Sequence, residues 1–209
     1  KPIACSEEDC VKIYETATSL NRKVTVCHVL RYAPFFSIIK NELETGNYGK
    51  VQTITLTENV GWWHQAHSYV RGNWHNTKKT SPMIIAKCCH DLDLLNWFMG
   101  SECVSVSSMG SLDYFTRKNA PEDSGDNCYE CPAAKDCLYN CEFIYWEREL
   151  KHGNSGWPVD IIMYDQEPTH ENLTAALKAS PYCKCVFKND NDAVDHQVVN
   201  VLYENGATA

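Results

Sequence analysis

The chain has 209 residues, 44% of them hydrophobic and 22% charged, which is an ordinary globular composition. Its formal net charge of −8 argues against nucleic acid as a partner, because binding a phosphate backbone requires concentrated lysine and arginine. No segment approaches the roughly 20 apolar residues that span a bilayer, so no membrane partner is expected.

Twelve cysteines are a high count for this length. Several lie inside predicted helices and strands, where a free thiol packs as a small apolar side chain, so we expect a reducing, cytoplasmic setting. The sequon Asn172-Leu173-Thr174 points the other way, but such triplets often arise by chance. The chain begins with Lys1 and closes on a strand running into a turn, so we expect both ends to be cut from a longer protein.

Local signals in the first 57 residues alternate between helix and strand. Capping and acidic first-turn residues favour helix starts, glycine favours helix ends, and β-branched or alternating runs favour strands. The predicted elements are a helix from Ser6 to about Leu20, a strand at 23–28, a helix from Pro34 to Gly46 and a strand at 51–57.

The stretch from Asn59 to Thr80 contains three tryptophans and three histidines with little periodicity. It predicts a polar-aromatic loop, and a loop of this length in a compact protein is more often a binding loop than filler. Ser81-Pro82 then predicts the start of a third helix, which would continue along an apolar stripe to Gly100.

The second half mixes loops, a helix and strands. The predicted elements are a strand at 103–112, a loop at 116–127, a cysteine-rich segment at 128–141, a helix from Thr169 to Ala179, and strands at 183–187 and 194–203. Together the elements predict an α/β beginning followed by an α+β body with a mostly antiparallel sheet.

The third helix carries the sharpest chemical signal. Lys87, His90 and Asp93 follow one another at intervals of three residues, so neighbouring members of the set share a helix face. An imidazole beside a lysine, a carboxylate and apolar surface can act as a general base near neutral pH. The alternative is an ordinary surface histidine, with Lys87 paired to Asp91.

Four features occur in order along the chain: Lys1-Pro2 before an acidic helix start, Arg31-Tyr32-Ala33-Pro34, a turn at 46–49 before a strand, and a His-Asp-Leu-Asp sequence at 90–93. This ordered set resembles the glucose–fructose oxidoreductase and inositol dehydrogenase (Gfo/Idh/MocA) family. The resemblance covers nearly the whole chain.

The resemblance implies a two-domain enzyme. Residues 1–31 would be the C-terminal remnant of a Rossmann-type dinucleotide-binding domain, and residues 32–209 an α+β substrate and oligomerisation domain that is itself incomplete at its C-terminus. The implied reaction is hydride transfer between NAD or NADP and a sugar, inositol or related polyol, in a homo-oligomer.

The resemblance also assigns roles. Lys1, His90 and Lys87 would be the catalytic residues: Lys1 would orient the cofactor and the reacting hydroxyl, His90 would transfer the proton, and Lys87 would hold a substrate oxygen. Pro2 and Arg31 would also lie at the cofactor, and Asp93 would bind substrate. The family often has an aspartate at the position of Ala86 and a glycine at that of Cys88, so this sequence departs from the pattern. A redox-assisted glycosidase and an inactive sugar-binding or scaffold protein therefore remain alternatives.

The glycine-rich phosphate loop of such enzymes is absent from the sequence. No G-x-G-x-x-G occurs in the 209 residues. We therefore expect this chain alone to bind NAD(H) or NADP(H) weakly or not at all.

The aromatic stretch fits a carbohydrate site, because aromatic rings stack on sugar C–H faces while polar groups bind hydroxyls. The substrate-binding candidates are Arg71 first, then Tyr69 and His67, with Trp74. The alternative is that the tryptophans belong to the core or to a subunit interface.

Four cysteines, Cys128, Cys131, Cys137 and Cys141, fall within fourteen residues and could close a tetrahedral zinc site. The spacing is tight for such a site, and unpaired cysteines are the alternative. A metal-binding interaction module is therefore a further hypothesis. Asp192 to Gln197 forms a second polar cluster, for which a structural role is favoured.

Overall fold

The computed structural model describes all 209 residues. They form two compact units: unit 1 contains residues 1–59, 80–110 and 196–209, and unit 2 contains residues 60–79 and 111–195. The expected domain boundary at residue 31 stays a prediction, and the hydroxyl of Ser37 donates to the carbonyl of Arg31 at 2.9 Å across it. No helix has the length and apolar character needed to cross a membrane.

The regular elements are seven α-helices, two strands and several short 3₁₀ or π segments. The helices are α1 (Glu7–Ser19), α2 (Pro34–Glu44), α3 (Trp62–His64), α4 (Met83–Ala86), α5 (Cys89–Met99), α6 (Val159–Met163) and α7 (His170–Lys178). The strands are β1 (Cys103–Ser111) and β2 (His196–Tyr203), and π-helices cover Gln65–Arg71 and Glu142–Glu147.

Helices with strong local signals form as predicted. The Ser6 hydroxyl caps α1 by accepting a hydrogen bond from the Asp9 N–H, and the Thr169 hydroxyl caps α7 in the same way. Gly100 ends α5 in the left-handed conformation, which glycine adopts without steric cost. These three ends depend on contacts within a few residues, so the sequence alone located them.

Three predicted strands are wrong. Residues 23–28 carry no strand pairing, residues 51–57 form one bridge between Thr53 and Thr208, and residues 183–187 form one bridge between Lys184 and Asn127. A strand needs a neighbour to supply its hydrogen bonds, and these segments meet none over more than one residue. These segments have residues that favour β-strands, but no neighbouring strand pairs with them.

The helix predicted from Ser81 to Gly100 is broken in two. Helix α4 ends at Ala86, Lys87 has φ −112° and Cys88 precedes α5. Ser81-Pro82 lies one residue outside α4, where Pro82 makes no side-chain cap. Lys87 and His90 therefore do not share the face of one continuous helix.

The sheet consists of two antiparallel strands, β1 and β2. The antiparallel pairing was predicted correctly, but the sheet has fewer strands than the sequence predicted. Both strands leave apolar side chains in solvent: Val106 is 58% exposed, Met109 68% and Val198 58%. At the inner end of β2, Val201 and Tyr203 pack with Met99 into a small core.

Unit 2 has the larger core. The aromatic segment predicted as a loop is instead α3 followed by a π-helix, and six of the seven π-helix residues are buried. A helix buried on all sides shows no apolar-polar periodicity, which is why the pattern indicated a loop. Its Ala66 and Val70 pack against Ile144, Tyr145 and Leu177.

Candidate functional site

His90 lies at the start of α5 in unit 1, where its ring meets the edge of the His28 ring at 5.8 Å between centroids. Its Nδ1 atom is buried and has no hydrogen-bond partner. Burial lowers the pKa of His90 below its ordinary value, and the positive charges of Lys1, His28 and Lys87 lower it further. The imidazole is therefore neutral near pH 7 and able to accept a proton.

Lys87 lies beside this histidine but is anchored elsewhere. Its ammonium group is 2.6 Å from the carboxylate of Glu58, in place of the alternative pairing with Asp91. Burial, together with Glu58, raises the pKa of Asp91, whose Oδ2 atom is buried without a partner. Burial also raises the pKa of Cys88 to about 11, which keeps that thiol protonated.

Asp93 and Arg31 hold each other. The guanidinium donates to both carboxylate oxygens at 2.7 and 2.6 Å and lies 5.6 Å from the Trp97 ring centre. A bidentate pair of this kind fixes both side chains. The pair is a structural contact in this structure, and the expected roles of Asp93 at substrate and of Arg31 at the cofactor stay predictions.

The aromatic segment of unit 2 does not present its polar side chains. Arg71 is 1% exposed, His67 3% and Tyr69 4%, so the structure does not place them where a substrate in solvent could reach them. Trp74, at 39% exposure, is partly accessible. Arg71, His67 and Tyr69 are buried in this structure, and their expected contact with substrate stays a prediction.

Arg71 is fixed by main-chain oxygens. Its Nε donates to the carbonyl of Lys184 at 2.7 Å and its Nη2 to the carbonyl of Tyr139 at 2.7 Å. Nη2 also lies 3.4 Å from the sulfur of Cys128, while Nη1 is buried without a partner. The guanidinium joins three chain segments in the core of unit 2.

His67 is stacked on the ring of Tyr182, with 4.7 Å between centroids, and its Nδ1 lies 3.0 Å from the Tyr145 hydroxyl. Burial lowers the pKa of His67 to about 4, and His64 and Arg71 add to the shift. Because the unfolded chain binds this proton more tightly, folding stability is lost as pH falls from about 6.5 towards 4.

Acidification should therefore destabilise the wild-type protein more than a His67→Gln variant. We expect the difference in unfolding free energy between pH 7 and pH 4.5 to be up to about 3 kcal/mol larger for wild type. Urea unfolding of the intact protein at both pH values measures it, with the exposed His152→Gln as control. Equal losses in wild type and His67→Gln would contradict the assignment.

The four cysteines that the sequence offered as weak candidates for a metal site are not assembled as metal ligands. The structure contains no group of three or more His, Cys, Asp or Glu side chains arranged to hold a metal ion. Cys141 is fully buried in the core and is hydrogen-bonded to Cys128. This hydrogen bond and the charge of Arg71 lower the pKa of Cys128, although the burial of Cys128 acts in the opposite direction. Cys141 therefore belongs to the packing of unit 2.

The polar cluster at 192–197 has the structural role that the sequence favoured. The Asp192 carboxylate accepts hydrogen bonds from the N–H and hydroxyl of Thr77 at 2.6 and 2.8 Å. The Asp195 carboxylate accepts from the N–H groups of residues 113, 114 and 115.

Sequence reasoning missed Glu58 and the Arg31–Asp93 pair. Glu58 sits in a stretch with no local motif, and Arg31 is 62 residues from Asp93. No short-range signal identifies partners at such separations. The sequence showed only that the two residues of each pair carry opposite charges, which does not identify them as partners.

Two comparisons bear on this geometry. A family model described as the C-terminal alpha/beta domain of an oxidoreductase family, Gfo/Idh/MocA, matches residues 40–157. The protein named "Putative oxidoreductase YteT" from Bacillus subtilis (strain 168) is 25% identical over 217 residues. That alignment covers 99% of this chain and 46% of the relative, so the chain spans about half the length of the curated relative it matches.

Proposed function

Because the chain belongs to the Gfo/Idh/MocA oxidoreductase family, we propose that the intact protein transfers hydride between NAD or NADP and a sugar, inositol or related polyol. The observation that carries this proposal is the neutral, unpartnered imidazole of His90, with the charges of Lys1 and Lys87 acting on it.

His90 would take the proton from the reacting hydroxyl. An alkoxide gives up hydride far more readily than an alcohol, so a base near neutral pH accelerates the step. The lowered pKa keeps the imidazole unprotonated at neutral pH, so the ring can take up a proton. In the reverse direction the same group would return the proton.

The two lysines would stabilise the developing negative oxygen. Lys1 and Lys87 both act on His90 electrostatically, so an oxygen bound beside the imidazole would lie within their field. Glu58 is a positioning residue, since its contact with the Lys87 ammonium restricts where that charge can lie. This arrangement supplies charge stabilisation in place of the family aspartate that Ala86 replaces.

The residues present fit the reacting end of a nicotinamide cofactor, since His90 offers an unpartnered nitrogen and Lys1 lies nearby. They do not include a pyrophosphate cradle, as the sequence lacks G-x-G-x-x-G. When bound, the cofactor supplies the hydride acceptor or donor. The expectation that this chain alone binds it weakly stays a prediction.

The test is an assay of the purified intact protein with NAD⁺ and NADP⁺ against a panel of sugars and polyols. On the best substrate, Lys87→Met should lower kcat/KM by roughly 10- to 100-fold. The variant lacks the positive charge that would stabilise the negative oxygen developing in the transition state. Glu58→Gln should lower it less, since the lysine stays but is less restrained.

Lys79→Met is the matched control, because Lys79 is 60% exposed and pairs with Asp190 in unit 2. Cofactor binding without turnover on any substrate would favour the inactive sugar-binding alternative. Cleavage of aryl glycosides with catalytic NAD⁺ and no net reduction would favour the redox-assisted glycosidase.

We also propose a homo-oligomer in a reducing, cytoplasmic setting. The exposed apolar side chains of the β1–β2 sheet support an interface there, since patches of this kind mark association surfaces. All twelve cysteines are free thiols, which fits a reducing compartment.

A further inference from the structure

A small cavity in unit 2 is lined by four cysteines that the fold draws from two separate segments. Cys128, Cys131 and Cys137 come from one segment and Cys185 from another, with Arg71 beside them. The cavity has a volume of about 20 Å³, which is room for one water-sized sphere. Cys141 does not line it.

Main-chain contacts hold the two segments together. Asn127 and Lys184 form an antiparallel bridge, and the N–H of Cys185 donates to the carbonyl of Asp126 at 2.8 Å. Cys185 is thus placed alongside Cys128 by the backbone, independently of any side-chain contact.

The turn around Cys131 is built for a sulfur that accepts hydrogen bonds. The N–H of Gly125 points to the Cys131 sulfur at 3.2 Å. A side chain at Gly125 would bring its Cβ to 3.0 Å from the Cα of Cys131, a tight contact that would require the neighbouring chain to shift by a few tenths of an ångström. Hydrogen bonds to sulfur stabilise the thiolate form that binds metal.

The buried charge of Arg71 has no carboxylate partner. The guanidinium is 1% exposed, lines the cavity, and has one nitrogen without any partner. Its charged contact is the Cys128 sulfur at 3.4 Å. A buried unpaired cation is costly, and an anionic group in the cavity would offset that cost.

We infer that Cys128, Cys131, Cys137 and Cys185 bind one zinc ion in this cavity. Four thiolates around a divalent cation carry a net charge of −2, which supplies the anion that Arg71 lacks. The first two cysteines have the C-x2-C spacing that recurs in structural zinc sites, Cys137 follows in the same segment, and only Cys185 is distant in sequence. This set differs from the weak candidate set of the sequence by having Cys185 in place of Cys141.

The sulfur atoms have to turn inward to bind. No three ligand-type side chains converge on one point in the structure, and the Cys128 sulfur lies 3.9 Å from the Tyr139 carbonyl. Rotation about the Cα–Cβ bonds would bring the sulfurs into the cavity while the backbone pairing stays. Because all four ligands are protein sulfurs, the site leaves no open position and is structural.

The experiment is metal analysis of the purified intact protein by plasma mass spectrometry. We expect about one zinc per chain, falling below about 0.1 in Cys131→Ser and in Cys185→Ser, since a site with three sulfurs binds zinc far more weakly. Cys27→Ser and Cys103→Ser, both at exposed positions, are the matched controls and should keep the zinc.

Wild-type protein provides a second measurement that does not depend on folding of the variants. Stepwise modification of thiols with a mercurial should release one equivalent of zinc, detected with a chromogenic indicator. Zinc lost in Cys141→Ser but kept in Cys185→Ser would overturn the ligand set. Iron in place of zinc, or disulfides with no metal, would overturn the inference.

Discussion

Replacing His90 by asparagine should lower kcat/KM of the intact enzyme by about 10²- to 10⁴-fold, the range that general acid–base catalysis provides. The asparagine keeps a polar group of similar size but cannot take up the proton. In the wild-type pH profile, the acid limb of kcat/KM should lie below the ordinary range of histidine, because the pKa of His90 is lowered. That limb should disappear in the variant.

Steady-state kinetics across pH measure both effects. The exposed His152→Asn variant is the matched control and should keep wild-type kinetics. A value of kcat/KM within about threefold of wild type in His90→Asn would exclude a proton-transfer role, given the size of such effects. A rise in KM with unchanged kcat would assign His90 to substrate binding instead.

Replacing Arg71 by methionine should destabilise the protein by about 2–4 kcal/mol, because each buried carbonyl left without its donor costs about 1–3 kcal/mol. The methionine keeps an unbranched stem but leaves the carbonyls of Lys184 and Tyr139 without their donors. Those carbonyls connect segments of unit 2 that are far apart in sequence, so their loss loosens the core.

Urea unfolding of the intact protein measures this change. Arg117→Met, at an exposed arginine of the same unit, should alter stability by no more than about 0.5 kcal/mol. A comparably small effect in Arg71→Met would show that the guanidinium is dispensable for folding, and the structural role would be withdrawn. Arg71→Lys should lie between the two, since an ammonium cannot reproduce the fork geometry.

The elements that could be predicted from sequence are those that depend on near neighbours. Ser6 and Thr169 cap helices through residues three positions away, and Gly100 ends α5 through its own backbone conformation. The strands β1 and β2 were also located to within two residues. Elements that need a distant partner were not predictable, and residues 23–28 and 51–57 show this.

The candidate site divides in the same way. His90 and Lys87 were recognised from their types and spacing, although the break after Ala86 removes the shared helix face that first linked them. The Lys87–Glu58 contact and the Arg31–Asp93 pair join residues that are far apart in sequence. Opposite charges are compatible with many pairings, and only chain folding selects one.

By itself, the sequence determined the family, through an ordered set of short motifs, and the helix ends, through local hydrogen bonds. The tertiary structure decided which polar residues are free to act. Arg71 was the first candidate for substrate, yet it is enclosed by main-chain oxygens, while Cys185 joins three cysteines from another segment. Burial and long-range contacts depend on the whole packed chain, so no local pattern could reveal them.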